Sequence, residues 1–430
     1  MNHYDLGLAD FIMDFESGSS QFTAHSRKDA LKDIIGGLKA SLARAMSDSF
    51  EKGALLRIEN GIFRTENDTL NFAGIFKSAL GSYNIQGFVV GSVLSATLSN
   101  KSGYKGSVKG LRKIPPLPLR DYTTLFSETM ETTREQIYNR DILETKDWKA
   151  FQKKMEDVSA VMQDDIEMLF AFYYYASKLP ISHYSLTRPF SVGSEEAITT
   201  GKMEPHRPTA FLEEKSASTA YLKITSFGGT AAEMDSIFNV IDKRGYNNLI
   251  VDLRGNPGGS VEAGMAFATR VADDVFYGGV FLTQKYFNRH KTLPSLQEYE
   301  NFPHFTESNY DLLMEGIHNT EGVCLKIVPK VPVYKGKLYI LVNGKTASTC
   351  EPIIYGFKQR KRALIVGTTT AGAMLAGEMF DLPEGFRIFL PTADYYAQDG
   401  LKIDKVGVTP DIDTETGDAL QFVLQKLIKL

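Results

Sequence analysis

The spacing of apolar positions changes several times along the chain. Between residues 26 and 52, Leu31, Ile34, Ile35 and Leu38 recur at helical spacing, and Leu42 and Met46 continue the stripe. That spacing predicts one or two amphipathic helices, with Gly36-Gly37 placed to break the run. From 54 to 112 the period shortens to two: Leu70/Phe72, Ile85/Val89 and Leu94/Ala96/Leu98 alternate with polar residues. Turn residues stand at Asn60-Gly61, Asn67-Asp68, Gly81-Ser82 and 100–103. This predicts a small antiparallel sheet or barrel. The stretch holds no His or Cys, so it reads as an accessory module without chemistry of its own.

Residues 114–118, Ile-Pro-Pro-Leu-Pro, are a stiff linker and the first expected boundary. Residues 121–178 return to helical spacing. Asp147 is placed to cap a helix that buries Trp148, Phe151 and Met155. Asp165 precedes a second run through Met168, Phe172 and Tyr175, which Pro180 ends.

From Ala220 onward strands and helices alternate. Tyr221–Ile224, Leu249–Leu253, Leu338–Val342 and Ala363–Val366 are short apolar runs of the kind that parallel strands buried on both faces produce. Thr230 and Glu233 form a capping box before a helix with Met234, Ile237, Phe238 and Ile241 on one face. Val261–Val271 reads as another helix, and Leu420, Val423, Leu424 and Leu427 as a last one. The alternation implies an α/β core with a mixed, mainly parallel sheet. Residues 286–330, polar and aromatic with prolines, read as an insertion over one edge. The expected organisation is an accessory module at 1–113, a helical cap at 121–190 and the core at 191–430.

Composition narrows the function classes. The 430 residues are 43% hydrophobic and 23% charged, within the range of globular chains. With 48 basic and 52 acidic residues the net charge is −4, so there is no basic excess to hold a phosphate backbone and no nucleic-acid partner is expected. Two cysteines, Cys324 and Cys350, cannot make a disulfide framework. The first residues lack the basic and apolar regions of a signal peptide. Ile166–Ala176 is too short to span a bilayer and contains Glu167. Export and a cytoplasmic location both stay open, as does homo-oligomerisation.

Sites in open α/β sheets form at the carboxyl ends of strands. Three places are distinctive. Arg254-Gly-Asn-Pro-Gly-Gly259 follows the second strand and presents backbone N–H groups; it lacks the lysine of a phosphate loop. Ser348, after the strand ending at Val342 and just before Pro352, stands where a helix dipole supports a developing oxyanion, and equally where a serine would merely cap the helix. Cys350 is a rival nucleophile, though two residues further on it is expected to face the interior. His183, in Pro180-Ile-Ser182-His183, is a candidate general base. No histidine pair has zinc-site spacing, so no metal or other cofactor is expected.

In order along the chain, Asp252-Leu-Arg-Gly-Asn-Pro-Gly-Gly259, Thr346-Ala-Ser-Thr-Cys-Glu351, Gly367-Thr-Thr-Thr-Ala-Gly372 and Gly407-Val-Thr-Pro-Asp-Ile412 resemble the motifs of tail-specific, or C-terminal processing, serine peptidases. The resemblance covers roughly 121–430. It implies a crotonase/ClpP-like core and a polypeptide substrate. Peptidases of the Ser–Lys branch carry the lysine right after the last Gly of the third motif; here that residue is Ala373. The sequence instead resembles the tricorn-like branch, in which a Ser-His pair ahead of the core carries the base. Ser182-His183 matches it. Asp404 stands where that branch has a glutamate that orients the histidine. The implied roles are Ser348 as nucleophile, His183 as base, Asp404 and Ser182 as orienting groups, and the N–H groups of Thr349 and of Gly258 or Gly259 as the oxyanion hole. The family's peptide-binding PDZ module has no room between His183 and the core. Two other functions stay open: a catalytically silent binding protein on the same fold, as retinoid-binding relatives exemplify, and an esterase or amidase using the same triad.

Overall fold

The computed structural model describes residues 2–37, 39–41, 53–78, 81–100, 105–113, 120–188, 208–306, 309–414 and 418–430. The chain begins with strands, not helices. β1 (Asn2–Asp5), β2 (Asp10–Phe15), β3 (Gln21–His25), β4 (Leu56–Glu66), β5 (Thr69–Ser78), β6 (Gly81–Val90), β7 (Val93–Ser99) and β8 (Lys105–Lys113) form a closed antiparallel barrel. Closure comes from β1 pairing with β8, His3 opposite Lys113. The alternating residues point inward, where Ile85, Val89, Leu94 and Ala96 pack with Phe11, Met13, Phe22 and Phe72. The expected turn at Asn60-Gly61 is instead a register shift inside β4: Asn60 takes a left-handed conformation and pairing resumes at Ile62. Asn67-Asp68, both at positive φ, form the tight turn to β5.

The helical stripe survives as α1 (Ala30–Ile35), which ends at Gly36 with φ 82°. Its expected continuation through Leu38, Leu42 and Met46 lies outside the described residues, as does the linker at 114–118.

The cap comprises α2 (Tyr122–Gln136), α3 (Lys146–Ser159) and α4 (Asp165–Ala176). Its caps sit one or two residues ahead of expectation: Thr145 accepts from the Trp148 N–H, and Asp164 from the Glu167 N–H. Asp147 and Asp165 are inside the helices. Trp148, Phe172 and Tyr184 meet Phe151 edge to face in one aromatic core. Arg27, beside the barrel, chelates the buried Glu167 carboxylate at 2.6 and 2.8 Å, and the Ile166 N–H donates to Leu8 O. The barrel is thereby docked on the cap.

After β9 (Ser185–Thr187) the core holds two sheets. β10 (Ala210–Ser216) and β11 (Thr219–Ile224) are antiparallel; β12 (Asn248–Asp252) continues the sheet in parallel. Between them lies α5 (Ala231–Arg244), capped by Thr230. The Glu233 side chain does not complete the capping box; it takes the N–H groups of Thr209 and Ala210 and ties the helix to β10. α6 (Val261–Val271) follows β12. β13 (Phe276–Thr283), α7 (Gln284–Arg289), β14 (His304–Phe305), α8 (Tyr310–Asn319) and β15 (Gly322–Ile327) come next. β16 (Lys337–Val342) then joins β12, α9 (Cys350–Gln359) follows it, and β17 (Ala363–Gly367) pairs beyond.

The segment 286–330, expected as an insertion over one edge, supplies the two strands at one end of the second sheet. β15 lies in the second sheet beside β13, which pairs on its other side with β19 (Arg387–Tyr396). β18 (Leu375–Asp381) and β14 complete that sheet, in the order β14-β15-β13-β19-β18. β20 (Ile412–Asp413) closes the parallel sheet, and α10 (Ala419–Phe422) packs on it through Ala419. Among the described residues no helix is long and apolar enough to cross a membrane.

Candidate active site

The parallel sheet brings two strand ends together. β12 ends at Asp252, whose carboxylate takes the guanidinium of Arg254; Arg254 also reaches Asp418 at 2.8 Å. Asn256, fully buried, spans the turn. Its Nδ2 donates to Ile224 O at 3.1 Å, its Oδ1 accepts from the Gly258 N–H at 2.8 Å, and its carbonyl accepts from the Ala347 N–H at 3.0 Å. The Gly-rich turn is thus pinned beneath the next strand end. Arg254 and Asn256 brace it.

That next end leads from β16 into α9. Thr346 Oγ1 donates to Leu253 O at 2.8 Å and locks the two turns. Ser348 then takes φ 54°, a left-handed conformation rare for a serine and a mark of a turn held by its surroundings. It is not the helix cap: the capping position is Thr349, with no side-chain bond to the helix N–H groups. Ser348 Oγ makes no hydrogen bond to another described residue. Gly258 lies directly against it; a Cβ there would fall 2.7 Å from Ser348 Cβ. Thr349 Oγ1 donates to Gly259 O at 2.8 Å, holding the two turns face to face.

His183 comes from the other direction, between α4 and β9, also at positive φ (56°). Its Nδ1 is 2.6 Å from Ser182 Oγ. Asp404 does not bond the ring among the described residues. Its Oδ2 accepts the Ser182 N–H at 3.0 Å and its Oδ1 the Met374 N–H at 3.1 Å. The carboxylate therefore holds the backbone that carries the histidine, and acts on the ring through its field. Burial lowers the His183 pKa, the Asp404 charge opposes that, and the Lys405 charge adds to it.

Ser348, His183, Gly259 and Thr349 open on one cavity of about 210 Å³. Of the two glycines expected as oxyanion donors, Gly259 lines the cavity with Thr349, while Gly258 does not line it and gives its N–H to Asn256 Oδ1. Cys350, fully buried, makes its contact away from the cavity with Asn256 O, and burial raises its thiol pKa. Cys324 is equally buried in the second sheet, its thiol pushed up to about 12. Lys358, on the helix, donates to Thr409 O at 2.6 Å and has no part in the cavity.

One member of the site had no expected role. Glu351, in the first turn of α9 and fully buried, accepts four hydrogen bonds. Oε2 takes the N–H groups of Ser348 (3.1 Å) and Ala373 (2.9 Å); Oε1 takes the Thr370 hydroxyl (2.6 Å) and the Gly372 N–H (2.8 Å). Burial raises its pKa against those bonds. Only its place three residues after Ser348, at the positive end of the helix dipole, signalled it. Among the described residues no cluster of His, Cys, Asp and Glu suits a metal ion.

Comparison with known proteins finds similarity over the core. The model of Peptidase family S41 matches residues 218–414, a stretch that holds all four motifs and stops short of His183. The chain is 27% identical over 202 residues to carboxyl-terminal-processing peptidase 3, chloroplastic, of Arabidopsis thaliana, covering 47% of this chain and 32% of that protein. It is 26% identical over 202 residues to a carboxyl-terminal-processing protease of Picosynechococcus, covering 46% and 40%. These matches show what the stretch around Ser348 is similar to. They span less than half the length of those relatives. The solved structure of a lipoprotein from Streptococcus agalactiae aligns over 74% of this chain and 99% of that one, with TM-score 0.48 and 17% identity.

Proposed function

We propose that the protein hydrolyses peptide bonds through an acyl-enzyme on Ser348, with His183 as general base, in the manner of the tricorn-like Ser-His branch. The crotonase/ClpP-like assignment of the core goes with this reading. The observation that carries it is the convergence of Ser348 and His183 on one cavity that Gly259 and Thr349 also line.

The Ser182 hydroxyl can meet either tautomer of the ring, and the mechanism uses one of them. With Nδ1–H donating to Ser182 Oγ, Nε2 keeps its lone pair for the Ser348 proton. Ser348 Oγ attacks the carbonyl carbon as that proton moves to Nε2. The carbonyl π electrons collect on oxygen, where the N–H groups of Gly259 and Thr349 stabilise them; removing one such donor costs about 10²–10³ in rate in comparable sites. The C–N bond breaks, the amine takes the proton from Nε2, and water repeats the sequence to release the acid. Ala373 at the dyad-lysine position and the absence of Lys from the cavity wall support His183 over a lysine base. The substrate is a polypeptide.

A fluorophosphonate probe tests the assignment. Labelling that disappears in Ser348→Ala and falls at least 10²-fold in rate in His183→Ala supports it. No labelling of the unaltered protein favours a silent binding protein; undiminished labelling in His183→Ala removes the base.

A further inference from the structure

The cavity at Ser348 is far larger than catalysis needs, and its composition selects a ligand. Behind the four reactive-end residues its wall is apolar, and no Asp, Glu, Lys or Arg lines it. α6 supplies Met265, β13 Phe276 and Phe281, α9 Phe357, and α8 Leu313 and Met314. α8 belongs to the 286–330 segment, so that segment builds part of the site. Leu313 and Met314 are buried while Tyr310, one turn earlier on the same face and also lining the cavity, is 47% exposed. The helix therefore runs from the rim at Tyr310 toward the interior at Leu313 and Met314.

We propose that this cavity is the pocket for the residue on the acyl side of the cleaved bond, and that it takes a large apolar side chain such as Phe, Leu or Met, with Met314 and Leu313 setting the size limit. The inference rests on the acyl-enzyme reading above. A side chain attached next to the attacked carbonyl is the substrate group that must lie closest to Ser348, Gly259 and Thr349, and these stand at the cavity's reactive end. The volume suits it: an apolar cavity of about 150 Å³ accommodates benzene, and about 210 Å³ leaves room for a phenyl ring with its methylene. A charged side chain would lose its water there without gaining a partner. An alanine would leave most of the cavity unfilled.

The test uses fluorogenic peptides that differ only in that residue, with fluorophosphonate labelling of the same preparations. The expected result is kcat/KM for Phe, Leu or Met about 10–200-fold above Ala, with Lys and Asp cleaved no faster than Ala. Met314→Trp is expected to shift the Phe-to-Ala ratio at least tenfold toward Ala. Intact labelling with a flat preference, or with Lys or Asp favoured, overturns the pocket and leaves the acyl-enzyme reading standing. Absent labelling overturns both. The series on the unaltered chain decides the matter even where Met314→Trp fails to fold.

Discussion

Asp404 reaches His183 by way of Ser182: its carboxylate takes the Ser182 N–H at 3.0 Å, and the Ser182 hydroxyl meets the imidazole Nδ1 at 2.6 Å. The two bonds divide the orienting task. The carboxylate fixes the peptide that carries the ring, and the hydroxyl holds the ring itself at Nδ1. Asp404→Asn keeps the shape but turns one acceptor into a donor facing an N–H of Ser182 or Met374. The acylation rate by fluorophosphonate is expected to fall about 10²–10⁴-fold, the scale on which a triad histidine responds to its carboxylate. Ser182→Ala leaves Asp404 bonded and removes only the Nδ1 partner, so its fall is expected to be smaller. Equal rates in Asp404→Asn and the unaltered chain would exclude the relay.

The pH dependence follows from the same residues. Burial holds the His183 pKa below its ordinary 6.5. In the proposed mechanism the neutral ring is the base, so the acylation rate is expected to rise as pH climbs through that depressed pKa and to stay level from there across neutrality. Lys405 pushes the pKa down and Asp404 pushes it up. Lys405→Met is therefore expected to move the acid limb to higher pH, and Asp404→Asn to lower pH. Labelling rates measured from pH 4 to 8 decide it; a limb that moves the same way in both variants would contradict the field argument.

Glu351 presents a separate expectation. Each carboxylate oxygen takes two donors, so Glu351→Gln sets an NH₂ against a pair of donors that had an acceptor. Unsatisfied buried groups cost about 1–3 kcal/mol each, and a loss of roughly 3 kcal/mol is expected in a denaturation curve. Because two of the donors belong to Ser348 and Ala373, labelling should slow as well. A stable Glu351→Gln protein labelled at the normal rate would show the carboxylate to be dispensable.

The barrel admits a stability test that leaves the site alone. Phe22 is 1% exposed and makes edge contacts with Phe63 and Phe72. Phe22→Ala is expected to cost about 3–5 kcal/mol as a loss of cooperative barrel unfolding, with Ser348 labelling unchanged. Labelling lost along with the barrel would mean that the docking through Arg27 and Glu167 supports the cap.

What was legible in the sequence follows from what each element buries. β12, β16 and β17 are covered on both faces, so they read as unbroken apolar runs. The barrel's middle strands have one wet face, so they alternate. β1 to β3 are only four to six residues long and begin among polar residues, and no period shows at that length. β13, β15 and β19 reveal themselves as one sheet only through pairing between residues 40 or more positions apart. At the site, motif order pointed to Ser348 and His183. Bonds between distant backbone atoms had no such signature: Asn256 occupying the Gly258 N–H, Asp404 holding Ser182, and Glu351 gathering four donors.

Gly258 offers the sharpest test of the geometry at Ser348, the proposed nucleophile. Its φ is 92°, where a side chain is strained, and an added Cβ would lie 2.7 Å from Ser348 Cβ and 2.9 Å from Ala347 O. Neither neighbour can yield easily. Ala347 is tied to Asn256 O, and Ser348 is held at its own positive φ by Glu351. Gly258→Ala must therefore displace the serine or the turn that carries the Gly259 N–H. A displacement near 1 Å costs about 10² in rate, and the loss of one oxyanion donor a further 10²–10³. Labelling is expected to fall at least 10²-fold while the barrel and cap unfold as before. Gly255→Ala is the control. Its φ of 78° imposes a similar backbone strain, but a Cβ there meets nothing within 4 Å, so it should lose stability without the same loss of labelling. Equal labelling losses in the two variants would mean that backbone strain, and not contact with Ser348, accounts for the glycine.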